Sequence, residues 1–247
     1  MKYPKDHISY SAFSKFEECA RRWWFDYVRY PQEKVDIPAF VMGNAYHSAM
    51  AAMYKGEPVE ECENIYLREL TKGIPVGLKN SENLRLAIRY YYSNIYPEYR
   101  SKVESVESEK TINLPGLDIP FMYKMDLVTV DGFLIDHKTV GGRAPSINFN
   151  DQLNLYSVAH MVSNGRLPRA TQLHLAYKGN HKGDAVEVKS TVPVLSEVLS
   201  TLSRLRAMVR MVKGNSFPAR RGRHCNYCPY KNECDALLID SNGSDII

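Results

Sequence analysis

The chain has 247 residues, 44% hydrophobic and 24% charged, and its 32 Lys and Arg against 28 Asp and Glu leave a formal net charge of +4. Composition this close to the globular average excludes a disordered, collagen-like or disulfide-scaffold chain, and the length suffices for a packed core. The charge-free stretch from Phe40 to Tyr54 is too short to span a bilayer, and the polar first ten residues hold no signal-peptide core. A soluble intracellular, cytoplasmic protein is therefore expected, in which five cysteines point to metal binding rather than disulfides.

In chain order, residues 9–29 read as one amphipathic helix. Phe13, Phe16, Cys19, Ala20, Trp23, Trp24 and Tyr27 recur at three- and four-residue spacing behind an N-cap at Ser9 or Ser11. Further helices are expected at 39–55, 58–72 and 81–96, the last ending before Pro97. The period then shortens, predicting strands at 103–114, 119–130 and 133–138 with turns at Pro115-Gly116 and Asp131-Gly132. A helix at 149–164, strands at 170–178 and 185–192, a long helix at 194–213, a Cys-rich segment and a frayed polar tail from Asp240 complete the chain. This order argues one α/β domain with a helical N-terminal portion.

Net charge conceals a basic run. Between Thr201 and His224 stand Arg204, Arg206, Arg210, Lys213, Arg220, Arg221 and Arg223 with no acid, a pattern that suits a polyanion or a solvated helix face. Directly after it, Cys225-x2-Cys228-x5-Cys234 places three thiols where backbone turns can aim them at one centre. A fourth ligand completes either a zinc or an iron–sulfur site, and His224 or a distant cysteine can supply it. Cys19 is one such cysteine, whereas Cys62 reads as a small buried hydrophobe.

The strand pair around Asp131-Gly132 carries the second constellation. A two-residue turn puts Asp126 on the face of Phe133, Ile135 and His137. A three-residue Val130-Asp131-Gly132 loop, with Gly132 at positive φ, instead sets Asp126 opposite Asp136. The latter gives clean patterning, with Lys124, Asp126, Asp136 and Lys138 on one face and Met125, Leu127, Phe133 and Ile135 on the other. Two adjacent carboxylates repel unless a cation such as Mg²⁺ or Mn²⁺ lies between them, and a lysine alongside can help stabilise charge developing on a phosphate. An ion-pair cluster on an exposed sheet face is the plainer alternative. Gly43-x-x-x-His47 puts a small residue and a potential ligand one helical turn apart, Gln152-x-x-x-Tyr156 shares a helix face, and Glu109 is a further acidic candidate with Glu107 competing.

Together these residues resemble the PD-(D/E)XK nuclease superfamily, specifically its RecB-type branch with an iron–sulfur cluster, which includes the AddB nuclease subunit and CRISPR-adaptation exonucleases. The matching motifs in order are Ser9-Tyr10-Ser11 with the aromatic helix, Gly43 to His47, Glu109, Asp126, Asp136-His137-Lys138-Thr139, Gln152 to Tyr156, and Cys225, Cys228-Pro229 and Cys234. Met125 replaces the name-giving proline, Lys124 stands where glycine is frequent, and Ala20 follows Cys19 where proline is frequent.

The resemblance implies a mixed-sheet, restriction-endonuclease-like core at 101–192. A helical part at 1–100, including an insert at about 56–100, precedes that core, and a basic and Cys-rich closing segment at 193–247 follows it. It implies that His47, Asp126, Asp136 and the main-chain carbonyl of His137 hold Mg²⁺ or Mn²⁺, with Lys138 and Glu109 completing the catalytic set. It also implies that Cys19, Cys225, Cys228 and Cys234 hold a [4Fe–4S] cluster, with zinc as the alternative. The implied activity is hydrolysis of DNA, by an exonuclease acting on single strands or ends, with Gln152, Tyr156, Arg204, Arg210, Arg220, Arg221 and Arg223 meeting the DNA. A non-catalytic nucleic-acid-binding accessory protein with a structural metal is the rival reading. No helicase motif is present, so an unwinding or recombination partner is expected on a separate chain, and a phage origin fits such a stand-alone nuclease.

Overall fold

The computed structural model describes residues 2–31, 37–141 and 150–239, and the tail from Asp240 expected to be frayed lies outside them. In chain order come β1 (Ile8–Ser9), α1 (Tyr10–Glu18), α2 (Ala20–Trp24), α3 (Pro38–Tyr54), α4 (Val59–Thr71), α5 (Leu78–Asn94) and α6 (Tyr96–Tyr99). There follow β2 (Val103–Ile112), β3 (Phe121–Thr129), β4 (Phe133–Val140), α7 (Asp151–Asn164), β5 (Ala170–Tyr177), β6 (Val186–Thr191), α8 (Leu195–Lys213) and α9 (Lys231–Ile239). Among the described residues no helix is long and apolar enough to cross a membrane.

The chain forms two compact units, one of Met1–Lys34, Thr111–Tyr123 and Leu199–Ile247, the other of Val35–Lys110 and Lys124–Val198. In the first, Ser9 caps α1 by accepting the Ala12 N–H at 3.3 Å. The expected continuous helix is interrupted at Cys19, whose backbone is extended (φ −163°, ψ 112°), and α2 then widens into a π-helical turn over Phe25–Arg29. Apolar spacing is blind to this break, because Phe16 and Trp23 remain buried on either side of it. The core of this unit is aromatic. Trp23 stacks on Phe217 and Tyr27 with centroids 5.8 and 5.0 Å away, and Phe25 stacks on Tyr230 at 4.8 Å. Arg21, although buried, donates from Nε to the Phe217 carbonyl at 2.8 Å. β1 pairs in parallel with the start of β3.

The second unit packs α3, α4 and α5 around Ala45, Ala49, Met50, Met53, Tyr66, Leu84 and Ile88, all essentially buried. The alanines on α3 let its neighbours approach, while the larger side chains fill the space between the helices. α5 stops at Asn94 rather than running to residue 96, and Pro97 sits in the first turn of α6, where its missing N–H costs nothing.

Strands β3, β4, β5 and β6 adjoin in that order, with β2 paired to β3. β4 and β5 run parallel over eight residue pairs, while the β3–β4 and β5–β6 pairs are antiparallel. Every residue of β5 is buried, as a strand between two partners and under helices requires. Behind the sheet a buried chain of hydrogen bonds links Tyr54, Tyr91, His174, Gln172 and Tyr99 at 2.7 to 3.1 Å.

Candidate active site

The β3–β4 hairpin adopts the three-residue loop. Leu127 pairs with Ile135 and Val128 with Leu134, which sets Asp126 opposite Asp136, and Gly132 has φ +85°. The turn is locked locally. Thr129 Oγ1 donates to Asp131 Oδ1 at 2.6 Å and accepts the Phe133 N–H at 2.9 Å, and the Gly132 N–H donates to the Thr129 carbonyl at 2.9 Å.

Both acids are buried, Asp126 to 8% and Asp136 to 3% exposure. Asp126 Oδ2 accepts the His137 main-chain N–H at 2.7 Å, which fixes the carboxylate and leaves Oδ1 3.2 Å from His47 Nδ1. Glu107 approaches the same imidazole at 3.6 Å and forms an ion pair with Lys124. One ligand atom each of His47, Glu107 and Asp126 lies within 4.8 Å of the others. Burial opposes a charge on His47, but Asp126, Glu107 and Asp136 outweigh it and raise the imidazole pKa to about 10. Glu107 is lowered, burial notwithstanding, by His47 and Lys124.

Asp136 forms the other half of the site. Its Oδ1 accepts from Lys138 Nζ at 3.0 Å and from Gln152 Nε2 at 2.9 Å, while Lys138 also donates to Gln152 Oε1 at 2.9 Å. Its buried Oδ2 feels the Lys138 charge at 2.9 Å but receives no hydrogen bond. Burial raises the Asp136 pKa to about 6, against the opposing pull of Lys138. Gln152 Nε2 reaches the Tyr156 hydroxyl at 2.8 Å, and Tyr156 donates to the Lys124 carbonyl at 2.9 Å. The Asn150 cap on α7, accepting the Leu153 N–H at 3.1 Å, sets the first turn that carries Gln152.

The donor set fits a hard divalent cation. Two carboxylates and an imidazole converge, a third carboxylate lies across the hairpin, and one of its buried oxygens has no hydrogen bond. His47, Glu107, Asp126 and Asp136 are the residues that would hold it, and the bound ion would supply Lewis acidity toward a phosphoryl oxygen.

Several expected placements change. Glu107, not Glu109, meets His47, while Glu109 is exposed. Strand alternation cannot separate two residues of equal parity, and the deciding feature is the left-handed backbone of Glu107 at φ +51°. The His137 ring is 1% exposed in the core, 5.4 Å from both Tyr91 and His174, so only its main chain faces the acids. Among the described residues, a Cβ on Gly43 would have Thr139 Oγ1 as its neighbour, at an ordinary 3.7 Å. Gln152 and Tyr156 are engaged with Asp136, Lys138 and the β3 backbone.

The basic run is also largely committed to the chain itself. Arg204 pairs with Glu17, Arg206 donates to the Pro115 carbonyl, Arg220 to the Glu17 carbonyl and Arg221 to Asp235, and Lys213 pairs with Asp118. Arg210 and Arg223 are exposed. Cys19, Cys225, Cys228 and Cys234 line one cavity with His224, and all are free thiols. Cys19 Sγ accepts the Arg220 N–H at 3.5 Å, while His224 Nε2 is 2.8 Å from the Arg220 carbonyl.

Comparison with known proteins follows this geometry. A solved protein from Eubacterium rectale that carries an exonuclease name superposes with a TM-score of 0.60 at 14% identity, covering 92% of this chain and 88% of that one. The LHK-Exo structure in complex with dAMP gives a TM-score of 0.34 at 10% identity, over 81% of this chain and 98% of that one. No curated protein sequence matches significantly. The family model of the PD-(D/E)XK nuclease superfamily matches residues 7–235, nearly the whole chain, and the chain belongs to that superfamily.

Proposed function

We propose that this nuclease is a Mg²⁺- or Mn²⁺-dependent deoxyribonuclease that acts as an exonuclease on single-stranded DNA or DNA ends. The observation carrying the reading is the Asp136–Lys138–Gln152 arrangement facing Asp126 across the hairpin. Gln152 bonds to both Asp136 and Lys138, so the ammonium is held by the carboxylate rather than left to sample solvent. Lys138 can donate to an attacking water and to the phosphate as negative charge builds on it. The His137 N–H keeps Asp126 oriented, and Asp136 Oδ2 remains available. A cleft of about 680 Å³, lined by His47, Glu107, Lys124 and Asp126, opens beside these groups and gives a strand access to them.

The cysteine cavity belongs to the same proposal as the seat of a [4Fe–4S] cluster held by Cys19, Cys225, Cys228 and Cys234. Four sulfurs around one zinc at 2.3 Å sit about 3.8 Å apart. Cys19, Cys225, Cys228 and Cys234 share one cavity, and the resemblance to the iron–sulfur branch favours the cluster over a single zinc. The main-chain N–H on Cys19 Sγ is the kind of contact that tunes a cluster thiolate.

End-labelled single-stranded DNA incubated with Mn²⁺ should be degraded, and chelator should stop it. Intact DNA under these conditions would leave the accessory-protein reading in its place. Protein purified without oxygen should be brown, with a broad visible absorption band, and a colourless zinc-containing preparation would contradict the cluster.

A further inference from the structure

The cleft beside the acids has a wall made by one face of α3. Asn44, His47, Ser48, Ala51, Ala52 and Lys55 all line it, following the three- and four-residue steps of a single helical stripe. Eight residues separate His47 from Lys55, about 12 Å along the axis at 1.5 Å per residue. The metal-ligand group thus stands at one end of the stripe and a lysine at the other. Between them the wall is small and apolar at Ala51 and Ala52, and Ile65 of α4 faces it. Lys55 is exposed. Nothing in the chemistry of the acids needs a groove this long.

We propose that this stripe is a strand-binding subsite in which Lys55 contacts a phosphate beyond the scissile one. The alanines and Ile65 would give the intervening sugar or base an apolar bed. The inference rests on the nuclease reading and deepens it, because it names how much of a single strand the site engages. The lining also holds Glu57, Glu107 and Asp126 against His47, Lys55 and Lys124, so a divalent cation among the acids tips the balance toward a polyanion. That dependence separates the subsite from a plain basic patch, whose binding a chelator would leave unchanged.

Lys55 also follows the last turn of α3, where a cation complements the helix dipole, so the test must tell a phosphate contact from a helix-end role. The experiment uses the full chain carrying Asp136→Asn to prevent cleavage, with Ca²⁺ present and fluorescence anisotropy as the readout. The probes are labelled dTpdT, with one phosphate, and (dT)6. Adding Lys55→Glu should weaken (dT)6 binding roughly tenfold, reduce the slope of log affinity against log salt by about one, and leave dTpdT binding unchanged. Lys55→Arg should restore the (dT)6 affinity. Chelator should weaken (dT)6 binding several-fold.

An unchanged (dT)6 affinity in the Lys55→Glu protein would overturn the subsite, as would equal losses on both probes, which is what a damaged helix end produces. Binding of (dT)6 that is unchanged by chelator would overturn it as well. Failure of the nuclease reading looks different, because the wild-type protein would then leave DNA intact with Mn²⁺ whatever the Lys55 variants do.

Discussion

Single residues decide whether this site can work. Gln152 acts through its neighbours, as the shared partner of Asp136 and Lys138. Gln152→Leu should therefore lower kcat roughly 10- to 100-fold with KM nearly constant. Steady-state kinetics check this, and Gln152→Glu should restore part of the rate by keeping the acceptor for Lys138. Deep in the same unit, burial and the neighbouring His137 hold the His174 pKa well below that of free imidazole, so the folded protein carries it neutral. The unfolded chain binds a proton there below about pH 6.5, so this contribution is complete above that pH. It falls by up to about 1.4 kcal/mol per unit as pH drops further. Urea midpoints measured from pH 8 down to pH 5 should decline more steeply for wild type than for His174→Gln. The acids, Lys138 and the histidine were legible in the sequence by type and spacing. Glu107 was not, because its advantage over Glu109 lies in one left-handed backbone angle.

At the scale of elements, alternation was most informative where one sheet face meets the core and the other meets the site. Binary patterning alone selected the three-residue loop of the β3–β4 hairpin, and the register follows it. The loop depends on Gly132 at φ +85°, which a side chain rarely tolerates. Gly132→Ala should cost about 1–2 kcal/mol in urea denaturation while leaving the strands paired. Helix positions were legible to within a few residues, but the break at Cys19 was not, since burial continues smoothly through it. The basic stretch of α8 and the segment after it also make contacts that the sequence does not announce. Charge runs show what side chains are, and their partners Glu17, Asp118, Asp235 and the carbonyls of Glu17 and Pro115 come from distant sequence. The stripe on α3 went unread although its spacing was visible, because small residues at helical intervals ordinarily mark a packing face.

For the whole molecule, the unit built from Met1–Lys34, Thr111–Tyr123 and Leu199–Ile247 has an aromatic core besides the proposed cluster. Trp23 stacks on Phe217, Phe25 on Tyr230, and the Tyr230 hydroxyl donates to Asp26 at 2.6 Å. Cys228→Ser should accordingly abolish the visible absorption and lower the Tm by several degrees while a folded domain survives in circular dichroism. Cys62 is buried in the other unit, with its thiol 3.7 Å from the Glu57 carbonyl. Cys62→Ala should leave the absorption unchanged and cost about 1 kcal/mol.

The most direct test of the account compares cleavage of end-labelled single-stranded DNA, with Mn²⁺, by the wild-type, Asp136→Ala and Lys138→Ala proteins, each first shown to be folded. The wild type should degrade the strand, and each variant should lose activity by roughly 10²–10³-fold or more. Wild-type rates persisting in either folded variant would show that the chemistry lies elsewhere.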